Sequence, residues 1–324
     1  MKTTHLLALT AACIALSSAL SACGGGGGSA PAELPGPPPP PAIAYLLQTG
    51  QVEVCKIDSN DVLADCVDAG VSGFANIHSM TVAGSHAYIG DAGGNGPATI
   101  IHCSIGENGT FSNCVPTGPA DLESPNGLGL AVRGSTLYVG VGDGISPGGG
   151  GPSLTYKCDI KANGLLDACI DAGFPAAMGR SVNDIRFVDG TAYFSHFYGL
   201  YLSKCTVETD GSLSSCSDIG AEGLDGPIEG FVISGSHMYI ADAGAAKVLR
   251  CIIAPDGTAS ECEDAGATGL ANPTQVIVRG STVYITDDES AASLTRCTTT
   301  SAGLLTGCAS ISSERKRLHG MVFR

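Results

Sequence analysis

The chain has 324 residues, with 31 acidic against 16 basic side chains and a formal net charge of −15. That field repels a phosphate backbone, which argues against nucleic acid as a partner. The absence of Trp and an aromatic content of 5% remove the usual stacking platforms for bases and sugars, while 44% hydrophobic residues still suffice for a core.

At the N-terminus, Met1-Lys2 precedes a short apolar run from Leu6 to Leu20, then Leu20-Ser21-Ala22-Cys23. This is the layout of a secretory signal, too short and too rich in Thr and Ser for a membrane span. The tetrapeptide resembles a bacterial lipobox. That resemblance implies a lipoprotein signal peptide over 1–22, acylation with palmitate at Cys23, and the membrane as a partner through this anchor. With Gly24 following, it implies the outer membrane, facing the periplasm or the surface. Ordinary cleavage near Ala22 would instead leave Cys23 as a solitary thiol. Residues 23–41 run from a glycine tract into PAELPGPPPPP, a flexible coil followed by a stiff spacer of about 3 Å per residue.

From residue 42 the chain repeats. Cys55/Cys66, Cys103/Cys114, Cys158/Cys169, Cys205/Cys216, Cys251/Cys262 and Cys297/Cys308 share one spacing, and the pairs start 46 to 55 residues apart. Between the cysteines lie Asn108-Gly109, Asn163-Gly164, Asp210-Gly211, Asp256-Gly257 and Ala302-Gly303, with Asn60-Asp61 in the first pair. Such dipeptides supply the positive φ angles of two-residue hairpin loops, which would set each Cys opposite its partner. No CxxC occurs, so structural zinc and c-type haem lack their spacing. Export to an oxidising compartment favours six disulfides, each worth about 3 kcal/mol by loop-closure entropy.

Each repeat adds an apolar strand ending in Gly-Ser or Gly-Thr, such as MTVAGS (80–85), and a strand with a fixed tyrosine, such as MYIAD (238–242). Their alternation predicts four-stranded meanders, labelled A to D, with the cystine joining C to D. Repeated meanders of this kind predict an all-β β-propeller. Tyr239-Ile240-Ala241-Asp242 and Tyr284-Ile285-Thr286-Asp287 resemble the NHL and YVTN propeller repeats, which define an architecture more than an activity. The first cysteine pair is preceded by a B-type strand only, AIAYLLQ (42–48), and the last is followed by a lone A-type strand, LHGMVF (318–323). The C-terminal strand therefore joins the first blade and closes a six-bladed ring over 42–324. Two separate β domains would leave both partial blades unexplained. A monomer is expected.

Aligned on the closing Gly, the starts of the A strands give a column of His78, Leu128, Asp184, Glu229, Thr274 and His319 at the mouth of the central channel. His78, Asp184, Glu229 and His319 form an imidazole–carboxylate set suited to a divalent metal, zinc or calcium, or to acid–base chemistry. A channel lined by solvated polar groups is the plainer alternative. A second ring, Gln48, Asp91, Val141, His196, Asp242 and Asp287, ends the B strands and is read as caps of the B–C turns. Asp68, Asp171 and Asp264 in D-A-G triplets are read as turn residues. The Gly/Pro run at 142–153 is read as a tolerated insertion or flap, and Glu314 to Arg317 as a solvated turn. No GxSxG, HExxH or P-loop is present. Six-bladed lactonases, with calcium in the channel, are similar in architecture; propeller lyases with histidine-bound zinc match the histidines better. The expected role is an envelope-anchored binding or scaffold module for a protein or small ligand at the channel face. The alternative is a metal-dependent lactonase, hydrolase or lyase.

Overall fold

The computed structural model describes residues 42–92, 98–122, 128–142, 154–178, 181–197, 199–290, 293–311 and 317–324. The expected signal peptide, the acylated Cys23 and the 23–41 tether lie outside these residues, as do 143–153 of the Gly/Pro run and 314–316 of the basic cluster. No described helix is long and apolar enough to cross a membrane.

The described strands form six four-stranded antiparallel sheets. In blade 1 the order is Leu318–Phe323, Ala42–Gln48, Gln51–Ile57, Leu63–Ser72, so the C-terminal strand pairs with the first strand of the chain. The inner A strands of blades 2 to 6 are Ile77–Ala83, Leu128–Arg133, Val182–Val188, Ile228–Ser234 and Pro273–Arg279. Each packs against the next, round to blade 1. This is the expected six-bladed propeller with C-terminal closure. Six apolar clusters fill the wedges between neighbouring sheets.

All six disulfides form in the expected pairing: Cys55–Cys66, Cys103–Cys114, Cys158–Cys169, Cys205–Cys216, Cys251–Cys262 and Cys297–Cys308, with Cα atoms 4.0–4.1 Å apart. Such a set belongs to an extracellular or periplasmic chain rather than a cytoplasmic one. The first Cys of each pair is buried. On the outer strand Cys66 is exposed, and Cys114, Cys169, Cys216, Cys262 and Cys308 are half-buried.

The expected route to this pairing needs correction. A two-residue loop does not set the cysteines opposite each other. Gly164 N–H donates to Lys161 O at 2.8 Å and Lys161 N–H to Leu165 O at 2.9 Å, a three-residue loop whose Gly164 sits at φ 82. That loop alone would set Cys158 against Ala168. A bulge at every cystine restores the match, and it places Cys66, Cys114, Cys169, Cys216, Cys262 and Cys308 each just after an extra residue. That residue, from Asp65 and Asn113 through Ala168, Ser215 and Glu261 to Gly307, is left-handed, with φ between 45 and 60. Two offsets cancel, and the cysteines face each other.

The fixed tyrosines latch one blade to the next. Tyr45 OH donates to Gly109 O, Tyr88 to Gly164 O, Tyr138 to Gly211 O, Tyr239 to Gly303 O and Tyr284 to Asp61 O, at 2.7–2.9 Å. Each acceptor is the hairpin tip of the following blade. The residue before the first Cys adds a second grip: Lys157 donates to Asp210 O, Lys204 to Asp256 O, Arg250 to Ala302 O and Arg296 to Asn60 O. At the closing seam Asp61 replaces the tip glycine at φ 57, and its carboxylate pairs with Arg279 and accepts from Thr282. The cystine therefore stiffens the very hairpin that the neighbouring blade holds.

Candidate functional site at the channel mouth

The A and B strands do not pair evenly. In five blades one residue is squeezed out of the ladder near the start of strand A, between Ile77 and Ser79, Val182 and Asp184, Ile228 and Phe231, Pro273 and Gln275, and Leu318 and Gly320. The extra residues are His78, Asn183, Glu229 (beside Gly230), Thr274 and His319. All five line one cavity of about 420 Å³ along the propeller axis. Bulges re-aim side chains, and here they gather a polar ring from five separate sheets. Among the described residues blade 3 has no such extra residue: Leu128 pairs with Val141 and Gly129 with Gly140.

This corrects the column read from sequence at two places. Asn183, not Asp184, occupies the ring in blade 4. Leu128 takes the place of the buried apolar residue that precedes the bulge elsewhere. Asp184 lies one residue further down the channel and bonds Arg186 through Nη2 at 2.9 Å and Nε at 3.0 Å. Phe231 N–H also donates to it at 3.3 Å. Burial pushes its carboxyl above the usual range, against the pull of Arg186.

His78 and His319, from adjacent blades, stack with ring centroids 5.8 Å apart. His78 Nε2 meets Asn76 Nδ2 at 2.8 Å, and His319 Nε2 meets Thr49 Oγ1 at 3.3 Å. Burial first, and then the neighbouring His319, push His78 down to about 4, and burial also lowers His319. Burial and the Asp288 carboxylate push Glu229 up to about 8. Thr274 Oγ1 donates to Leu318 O at 2.8 Å and lies 2.7 Å from Thr286 Oγ1, so its hydroxyl serves the fold. Asn183 is 9% exposed, and its Oδ1 is buried with no hydrogen-bond partner in the protein. Asp288, which the sequence did not single out, acts electrostatically on both Glu229 and His319 and accepts from Asn272 Nδ2.

The four expected metal ligands share the cavity but do not converge. Among the described residues, no three His, Cys, Asp or Glu side chains come close enough together to hold a metal ion. The donor set splits into a histidine pair, an Asp184–Arg186 ion pair and a Glu229 carboxyl under the influence of Asp288.

The second ring is structural and reaches further than the B–C turn. Asp91 accepts from Ala75 N–H at 3.0 Å and Asn76 N–H at 2.7 Å, in the crossing that enters strand A. Asp287 accepts from Ala271 N–H in the crossing and from Glu289 and Ser290 N–H in the B–C turn, and Asp242 likewise spans both. His196 is fully buried against Tyr201 and bonds Ser203 Oγ at 2.8 Å. Asp68, Asp171 and Asp264 each accept from the N–H of the glycine two residues on, as turn residues do.

No family model matches this sequence, and no curated protein matches it. The fold is similar to a chain in the nidogen/laminin complex, with TM-score 0.63 and 17% identity over 87% of this chain and 98% of that one. It is also similar to a 6-phosphogluconolactonase candidate from Bacteroides fragilis (0.62 and 13%, over 88% and 98%). A third is the periplasmic gluconolactonase of Pseudomonas aeruginosa (0.58 and 12%, over 87% and 98%). At these identities the likeness concerns architecture alone.

Proposed function

We propose that the protein is an exported, envelope-anchored propeller that captures a small ligand at the mouth of its central channel. The observation that carries this reading is the ring of bulges. Five sheets each give up ladder pairing to turn His78, Asn183, Glu229, Thr274 or His319 toward one cavity, while blade 3 keeps a regular ladder. A purely structural channel has no need of five independent insertions. Concave sites with a few convergent polar groups are the usual places for small ligands. Acylation at Cys23 with the 23–41 spacer would hold this ring away from the outer membrane. Calorimetric titration of a small-molecule panel tests the reading. A hit whose affinity falls at least tenfold in His319→Ala, with the melting temperature kept, supports capture; hits indifferent to every ring substitution count against it.

A second reading, a hydrolase acting on lactones, is favoured by one feature. Glu229 holds its proton up to about 8 while burial lowers His319, so one cavity carries an acid and a base, on blades either side of Thr274. The two gluconolactonase-type structures share this architecture. Lactone hydrolysis that persists in chelator and disappears in Glu229→Gln would establish this reading over simple capture. Stoichiometric zinc or calcium, lost in His78→Ala/His319→Ala, would favour a metal-dependent enzyme.

A further inference from the structure

Resting on the capture reading, the wall below the ring narrows the ligand's chemistry. Three residues beyond each of the five bulges, and at Ala131 in the regular ladder of blade 3, strand A presents the residue that pairs with the blade's fixed tyrosine on strand B. In chain order around the ring these are Thr81, Ala131, Arg186, Val232, Ile277 and Val322. All six line the cavity, and four are apolar. Arg186 is the one cation among them, and Asp184 neutralises it at 2.9 Å. Below this tier the lining continues with Val132, Phe187, Val278 and Phe323, none of them fully buried by the protein itself. The channel is therefore polar at its mouth, and beneath it one side of the wall is apolar at Val232, Ile277 and Val322 while Thr81 and Arg186 keep the other side polar.

We propose that the ligand is an amphiphile that enters tail first, with a hydrogen-bond-donating head, an alcohol or amide, at the bulge ring and an aliphatic tail against the Val232, Ile277 and Val322 tier. Three observations set the head. Asn183 Oδ1 is an acceptor in a nine-tenths buried side chain with no partner in the protein, and an unmade bond of that kind is costly unless a donor arrives. Two carboxylates, Asp288 and Asp91, act on the ring electrostatically against one guanidinium, Arg317, and the chain carries −15 overall, so a carboxylate or phosphate head is disfavoured. Thr274 is occupied within the fold, which leaves Asn183, Glu229 and the two histidines to orient the head. The tail follows from the half-buried valines and isoleucine, whose exposed apolar surface faces a channel and not bulk solvent. From His319 to Phe323 is four residues, roughly 13 Å of strand, enough depth for a medium-length alkyl chain.

The test uses the chain expressed from its full sequence with Cys23→Ser, so that neither an acyl anchor nor detergent competes. Titration at pH 7 compares 1-octanol, octanoate and glycerol. The expected result is one-to-one binding of octanol, at least tenfold weaker octanoate, and no binding of glycerol in the same range. Asn183→Leu weakens octanol at least tenfold by removing the head's acceptor, and Val232→Thr, nearly isosteric, weakens it severalfold by wetting the tail's wall. Octanoate binding as tightly as octanol overturns the donor head. Glycerol binding as tightly as octanol, with Val232→Thr silent, overturns the tail while capture at the ring stands. Binding of none of the three overturns the amphiphile; a panel hit that His319→Ala abolishes then shows that capture itself survives.

Discussion

The two ends of the propeller treat one repeat in opposite ways. At the hairpin end the blades carry the same parts: a cystine and a left-handed residue before its second Cys in all six, and at five seams a tip carbonyl that accepts from the preceding blade's tyrosine. At the mouth the blades share a backbone device, the bulge, but load it with different side chains: His, none, Asn, Glu, Thr and His from blade 2 round to blade 1. Uniform chemistry marks the end that holds the ring together. Varied chemistry on a common scaffold marks the end that recognises something else.

The largest expected effect breaks the uniform end. Cys158→Ala/Cys169→Ala should cost about 3 kcal/mol by urea denaturation, the loop-entropy worth of one cystine, while ligand affinity at the mouth is unchanged. Tyr88→Phe should cost about 1–3 kcal/mol, because the Gly164 carbonyl loses its donor in a buried seam. If both substitutions disturb ligand binding as strongly as stability, the division of labour fails.

The mouth should respond to pH instead. Glu229 is held at about 8 against an ordinary 4.5, so its contribution is complete below 4.5 and is lost as pH rises to 8. Glu229→Gln should therefore raise the melting temperature by a few degrees at pH 8 and leave it unchanged at pH 4. His78 and His196 act in the opposite sense. Both are depressed to about 4 from 6.5, so their contribution is complete above 6.5 and fades as pH falls toward 4. Melting curves across pH 4–9 check both arms.

The smallest effect concerns the bulge under each cystine. Ala168 sits at φ 45, where a side chain is strained, whereas Gly307 holds the equivalent place in blade 6 at φ 60 with open space around it. Ala168→Gly should gain about 0.5–1 kcal/mol and Gly307→Ala should lose a similar amount. Equal signs for the two would refute the shared geometry.

The sequence disclosed the hairpin end almost completely, because covalent pairing imposes one spacing on every repeat. The bulge before Cys66, Cys114, Cys169, Cys216, Cys262 and Cys308 stayed hidden, since five different residue types, Asp, Asn, Ala, Ser and Glu, share its left-handed position with one Gly. The tyrosines were visible as a period, but their role was not. Their acceptor is a backbone carbonyl of another blade, which leaves no residue signature. The ring was legible at His78, Glu229, Thr274 and His319 and misread in blades 3 and 4 for a concrete reason. In blade 4 Asp189, at φ 51, takes the turn position that Gly84 fills in blade 2, so counting back from Gly190 lands one residue late, on Asp184. Counting forward from the leading apolar residue, Ile77, Val182, Ile228, Pro273 or Leu318, would have found Asn183. It would also have shown that Leu128 is followed directly by Gly129, with no residue to spare. Asp288 could not be found by counting at all, since it reaches the ring from a B–C loop.

The central claim, that the bulge ring is where a ligand is held, is tested most directly by histidine-resolved NMR of the detergent-free chain during titration with 1-octanol. The imidazoles of His78 and His319 should shift together and saturate at one equivalent, while those of His86 and His237 on B strands and His102 on a C strand, outside the cavity, stay fixed. Ring histidines that remain still while the outer ones move, or no movement anywhere at saturation, would contradict it.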